Sequence, residues 1–182
     1  MKILEAVAPH KDADGFTSQN AGKLFSGYKP YAIPCTPKGI IKLTEKYNIK
    51  TEGKNVLVVG RSQIVGKPVA MLFQNKNATV TVAHSHTKNL TEISRNADII
   101  VMASGIPELL TGDMVKQGAV IIDVGINRID DNKGSYTICG DTDFENLLSK
   151  ASYITPVPKG VGPMTIAGLM QNTFDLYKLQ NN

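Results

Sequence analysis

Four short apolar runs limit what this chain can fold into: NVLVV (55–59), TVTVA (79–83), DIIVMA (98–103) and AVIIDVG (119–125). Stretches with helical spacing lie among them. VGKPVAMLFQNK (65–76) places Val69, Leu72 and Phe73 on one face, and NLTEISRNA (89–97) reads as a weaker helix with Thr87 or Asn89 as its N-cap. Strands that are apolar along their whole length and separated by helices require a parallel sheet covered on both faces. The expected class is α/β, a doubly wound parallel sheet.

The two ends of the chain read differently. Residues 1–34 carry Gly, Pro, Asn and Tyr with little periodicity. Thr36-Pro37 offers a hydroxyl N-cap and a proline at the first helical position, and GIIKLTEKY continues that helix. Gly162-Pro163 opens a terminal helix with Ile166, Leu169, Met170, Thr173 and Leu176 or Tyr177 on one stripe. The sheet has helices of its own, so the two ends are expected to pack on each other as a small, incomplete second lobe. The chain then divides into residues 1–36, residues 37–160 and a returning helix over residues 161–182. Stripes left partly uncovered predict a homodimer or another self-associated form.

Length and composition exclude several classes. A chain of 182 residues buries one core and at most a small second lobe. The net charge of +4 includes no Lys/Arg block, so no nucleic-acid partner is expected. No run approaches the roughly 18 apolar residues that a membrane span needs. Glu5 interrupts MKILEAVAPHKD, which is not read as a signal peptide. Cys35 and Cys139 stand alone, without metal-ligand spacing or a disulfide framework. The expectation is a cytoplasmic protein without a metal site.

GRSQIVGKP (60–68) carries the chemistry. A P-loop needs four residues between its glycines and a hydroxyl after the lysine; here five intervene, and Pro68 follows Lys67. A standard dinucleotide loop has glycine where Ser62 stands, although serine keeps a backbone N–H and adds a hydroxyl. An ordinary strand-to-helix turn is the third reading. The setting, a strand before and a helix after, favours phosphate binding, with backbone donors expected at the helix N-terminus. The next strand ends in HSHTK (84–88), with no acidic residue to take a ribose 2′-hydroxyl. Those residues and Arg61 suit a 2′-phosphate, so NADP is expected over NAD. A solvated strand end is the other reading of His84 and His86. Gly105 and Gly125 follow apolar runs where a cofactor would pass close to the backbone, and Asp123 is read as an acceptor for neighbouring loops.

PHKDADGF, PCTPKGI, GRSQIVGKP, HSHTKNL, ADIIVMASGIP, IIDVGINR, GDTDF and YITPVPKGVGPMTIAGL follow one another along the chain. In that order they closely resemble the bifunctional methylenetetrahydrofolate dehydrogenase/methenyltetrahydrofolate cyclohydrolase family. The resemblance implies a Rossmann-like NADP-binding domain over residues 37–160 and a remnant of the folate lobe over 1–36, rejoined by the terminal helix. It implies oxidation of 5,10-methylenetetrahydrofolate with NADP, then hydrolysis of the methenyl product to 10-formyltetrahydrofolate. Gly60, Arg61 and Ser62 would hold cofactor phosphates, Ser85 the 2′-phosphate, and Ile126 the nicotinamide side. Asp14 would contact the pterin, with Gly162, Pro163 and Thr165 at the folate cleft; from the residues alone, Asp12-Ala13-Asp14-Gly15 is an Asx-type turn.

Two departures stand out. The family's Tyr-x-x-x-Lys motif, whose lysine serves the cyclohydrolase, and its Gln-Leu-Pro-Leu-Pro segment precede the region matched here, and the chain reads as N-terminally truncated. Cyclohydrolase activity is therefore expected to be lost, which leaves a tetrahydrofolate dehydrogenase or a non-catalytic NADP-binding module. Lys159 stands where the family usually has glycine, in a turn beside the folate site.

Overall fold

The computed structural model describes residues 3–130 and 135–181. Short 3-10 turns aside, the chain forms α1 (Ser18–Phe25), α2 (Cys35–Lys46), β1 (Asn55–Val59), α3 (Gly66–Gln74) and β2 (Thr79–Ala83). These are followed by α4 (Leu90–Asn96), β3 (Ile99–Met102), β4 (Val120–Asp123), β5 (Asn127–Asp130) and β6 (Tyr136–Cys139). The last elements are α5 (Phe144–Leu147), β7 (Tyr153–Ile154) and α6 (Val161–Asn181).

Among the described residues, β2-β1-β3-β4-β7 form one sheet with every pair parallel. Alternate side chains feed two cores, as period-2 strands require. Val56, Val58 and Val101 face α2 and α3, against Ile40, Val69 and Phe73. Leu57, Val59 and Ile100 face the other side, against Ala97, Leu110 and Leu147. The expected α/β sheet with helices on both faces is what forms. Strand order reverses between β1 and β3, so their connections leave in opposite directions and a crevice opens at the carboxyl ends.

Several expectations are corrected. β2 is not covered on both faces: it is an edge strand, and only Ala83 in it is buried. α2 starts at Cys35, with Pro34 before it, so Thr36 lies inside the first turn and does not cap it. Its hydroxyl instead meets that of Thr165 on α6 at 2.9 Å. Sequence periodicity missed α1, β7 and the β5–β6 hairpin.

The largest correction concerns α6. Its buried residues are Val161, Gly168, Asn172 and Leu176, whereas Ile166, Met170 and Tyr177 are exposed. The reason is close approach. A Cβ on Gly168 would stand 2.8 Å from the Cys35 carbonyl oxygen, so only glycine lets α6 lie against the start of α2. One turn on, the Asn172 side chain donates to the Ala13 and Ile33 carbonyls, both at 2.8 Å, and accepts from Lys38 Nζ at 2.7 Å. The contact between α6 and the early part of the chain runs through this polar anchor and not through the expected apolar stripe.

Candidate functional site

The glycine loop leaves β1 at Gly60, whose N–H still bonds to Ala83 on β2 at 2.8 Å. Ser62 then turns back on the helix. Its Oγ accepts from the Val65 and Gly66 N–H groups at 3.1 and 3.2 Å, and its carbonyl accepts from Lys67 N–H at 3.0 Å. Pro68 has no N–H. The first donors of α3 are thus used inside the protein, contrary to the expectation that they face a ligand. The donors left are those of the loop itself. Arg61, Gln63 and Ile64 are exposed, and their N–H groups have no acceptor among the described residues. These N–H groups, the Arg61 guanidinium and the Ser62 hydroxyl proton are the donors the loop has to offer an anion.

Register carries the next strand end to the same place. Val59 pairs with Ala83, so Arg61 and Ser85 each lie two residues beyond paired positions on adjacent strands. Residues 84–87 close as a turn, with Thr87 N–H bonded to the His84 carbonyl at 2.8 Å and His84 N–H to Thr87 Oγ1 at 2.9 Å. Ser85 is exposed at its tip. The donor set along this edge is neutral or cationic throughout, which fits a phosphorylated ribose better than a free hydroxyl pair.

The loops after β3 and β4 are held by two buried carboxylates. Asp123 accepts from the N–H groups of Gly125, Asp141 and Thr142 and from the Thr142 hydroxyl, at 2.7 to 3.0 Å. Burial pushes its pKa up, the Thr142 hydroxyl and the backbone donors pull it back, and the charge of Asp141 adds a smaller upward push. Asp141 accepts from Ser104 N–H and Oγ, Gly105 N–H and Asn127 Nδ2, at 2.6 to 2.9 Å. Asp123 is thus the loop acceptor that sequence expected, while Asp141 was missed. Gly125 also changes meaning: a Cβ there would overlap the Asp141 carboxylate, so this glycine makes room for a side chain and not for a cofactor.

A cleft of about 510 Å³ opens between these loops and the start of α6. It brings together Ile126, Gly162, Pro163 and Thr165 from the sequence-based site, with Val65 from the glycine loop and Asp123 in its wall. Ile126 is 72% exposed, an apolar side chain held out for contact. The Thr165 hydroxyl is engaged by Thr36 and lies 3.4 Å from the Val161 carbonyl. Lys159 lines the cleft with φ +79°, a left-handed backbone that suits glycine and strains lysine. Asp14 does not line this cleft. It is exposed near the start of α2, its Oδ1 3.7 Å from Cys35 Sγ, and burial and Asp14 together push the Cys35 thiol up.

Within Asp12-Ala13-Asp14-Gly15 the two acids divide the work. Asp12 makes the Asx turn: its Oδ1 accepts from Gly15 N–H at 2.9 Å, and its Oδ2 from Thr17 N–H at 2.8 Å and Asn20 Nδ2 at 3.0 Å. Burial acts to raise its pKa, but the Thr17 and Asn20 donors outweigh it and hold the carboxyl below its ordinary value. Asp14 is left free.

Fold and cleft define a dinucleotide-binding α/β domain with the ligand crevice at its strand-order switch. Residues 34–181 match the family model described as tetrahydrofolate dehydrogenase/cyclohydrolase, NAD(P)-binding domain, and the chain belongs to that family. It is 54% identical over 176 residues to the bifunctional protein FolD of Bacillus cytotoxicus, covering 97% of this chain and 60% of that protein. The FolD of Campylobacter hominis is 58% identical over 172 residues, covering 94% and 59%. Among solved structures, the FolD of Campylobacter jejuni superposes with a TM-score of 0.93 at 48% identity, over 98% of this chain and 62% of that one. The Trypanosoma brucei FolD, complexed with NADP and an inhibitor, gives 0.94 at 39% identity, over 100% and 63%. The chain therefore spans about 60% of the length of these relatives.

Proposed function

We propose that this chain binds NADP across the β1–β3 crevice and serves the oxidation of 5,10-methylenetetrahydrofolate to 5,10-methenyltetrahydrofolate. The observation that carries the reading is the single cleft in which Ile126, Gly162, Pro163 and Thr165 meet the glycine loop. Gly60 makes the turn that carries the loop to the cofactor phosphates, and Arg61 and Ser62 hold them through loop N–H groups, the guanidinium and the serine hydroxyl. Ser85, at the tip of the neighbouring turn, adds a donor to the 2′-phosphate. Ile126 covers the nicotinamide end with apolar surface and excludes water. The T. brucei relative was solved with NADP, which supports this choice of cofactor.

When bound, NADP supplies the two-electron oxidant. The chain's own part is placement. Gly162 and Pro163 at the start of α6 form the floor on the folate side, and Thr165 keeps α6 against α2 through Thr36. Asp14, with no turn to make, is free to accept from the paired N–H groups of an aminopyrimidine edge. On this reading residues 1–36 and 161–182 form the folate side and residues 37–160 the cofactor side. The free thiols Cys35 and Cys139 fit a reducing cytoplasm.

Hydrolysis of the methenyl cation needs a positioned proton relay, and no Tyr-x-x-x-Lys occurs in these 182 residues. We assign them no cyclohydrolase activity of their own. The test loads the protein with NADP, adds methylenetetrahydrofolate and follows reduced cofactor, then supplies methenyltetrahydrofolate and follows its loss. Reduction without hydrolysis above the buffer rate is expected. NADP binding without reduction would make the chain a binding module, and hydrolysis above the buffer rate would refute the assignment.

A further inference from the structure

Asp123 and Asp141 are 1% and 0% exposed, yet each faces hydrogen-bond donors alone. Asp123 collects three N–H groups and a hydroxyl; Asp141 collects two N–H groups, a hydroxyl and the Asn127 amide. A proton added to either carboxyl would have to displace one of these donors, so the donor sets suit carboxylates; burial works against this at Asp123, whose pKa it raises. Among the described residues neither forms an ion pair. Dipoles solvate the two charges but do not cancel them, and a net negative field remains in a poorly screened wall.

That wall belongs to the cleft. Asp123 lines it beside Gly125 and Ile126, and Asp141 is bonded through its own N–H to Asp123. The nicotinamide ring is cationic when oxidised and neutral when reduced, so a fixed negative field acts on one form and not on the other. We propose that Asp123 and Asp141 form a positioning pair that ties the loops after β3, β4 and β6 together and biases the cleft toward the oxidised cofactor. The inference rests on the NADP reading above. The two roles separate physically. Loosening the loops weakens both cofactor forms alike, whereas removing charge weakens the cationic form selectively.

The test titrates oxidised and reduced NADP separately into the wild-type chain, Asp141→Asn and Ser104→Ala, with thermal melts to confirm folding. Asp141→Asn is expected to raise the ratio of the oxidised to the reduced dissociation constant about fivefold or more, as loss of a nearby, weakly screened charge requires. Ser104→Ala removes one donor to Asp141, the hydroxyl, but no charge, so it should weaken both forms by one factor and leave the ratio unchanged. An Asp141→Asn ratio equal to that of the wild type would overturn the proposal. If that variant does not fold, the wild type decides: tighter binding of the oxidised form supports the pair's role, and equal or weaker binding overturns it. A wild type that binds neither form defeats the NADP reading itself, a result distinct from binding with an unshifted ratio.

Discussion

β1 and α6 achieve burial by opposite means. In β1, Val56 to Val59 are all buried, two on each face, and apolar surface alone accounts for the packing. α6 has 21 residues, of which Val161, Gly168, Asn172 and Leu176 are buried, while Ile166, Met170, Phe174 and Tyr177 face outward. The sheet is held by the hydrophobic effect; the terminal helix adds to its buried Val161 and Leu176 a close backbone approach, the Thr36–Thr165 contact and the Asn172 amide. The first depends on volume and the second on particular atoms.

Substitutions sharpen the contrast. Phe73→Ala, at a fully buried site between α3 and the sheet, should cost about 3–5 kcal/mol and lower the melting temperature of the whole domain. Asn172→Ala leaves the Ala13 and Ile33 carbonyls without their donor and should cost about 2–3 kcal/mol. Hydrogen exchange after Asn172→Ala should rise in residues 9–35 before it rises in β1. Equal increases in both places would erase the distinction between the two regions.

Acid separates the regions again. The donors around Asp12 hold its folded pKa below the unfolded value. Its contribution is therefore complete above the unfolded value of about 4 and fades as pH falls through the lower folded one. Denaturant midpoints should drop below about pH 4, and Asp12→Asn should flatten that part of the drop. A variant with the wild-type acid slope would contradict this. The smallest effect is expected at Lys159. Lys159→Gly relieves the left-handed backbone and should raise stability by about 0.5–1 kcal/mol at most; a loss of stability would show that the lysine side chain makes contacts outweighing the strain.

The same contrast sets what was legible in the sequence. The strands β1 and β2 fall where NVLVV and TVTVA predict, because an apolar or β-branched run closed by turn residues is a local signal. The inward seam of α6 was misread because periodicity counts large apolar residues, whereas Gly168 and Asn172 are selected by Cys35, Ala13 and Ile33 far away in sequence. β7 is two residues long and exists through its pairing with Val120 and Ile121. GRSQIVGKP was legible as a strand-to-helix loop, but the role of Ser62 in occupying the first donors of α3 was not. Asp141 carried no local signal at all, since it acts on Ser104 and Asp123 across loops that only the folded sheet brings together.

The central claim, that the glycine loop and the 84–88 turn form one edge built for a 2′-phosphate, meets its most direct test in paired titrations of NADP and NAD. The account predicts NADP binding about tenfold tighter or more, as a charge-assisted pair to the phosphate requires, with the advantage reduced by Arg61→Ala. Equal or tighter binding of NAD would contradict it.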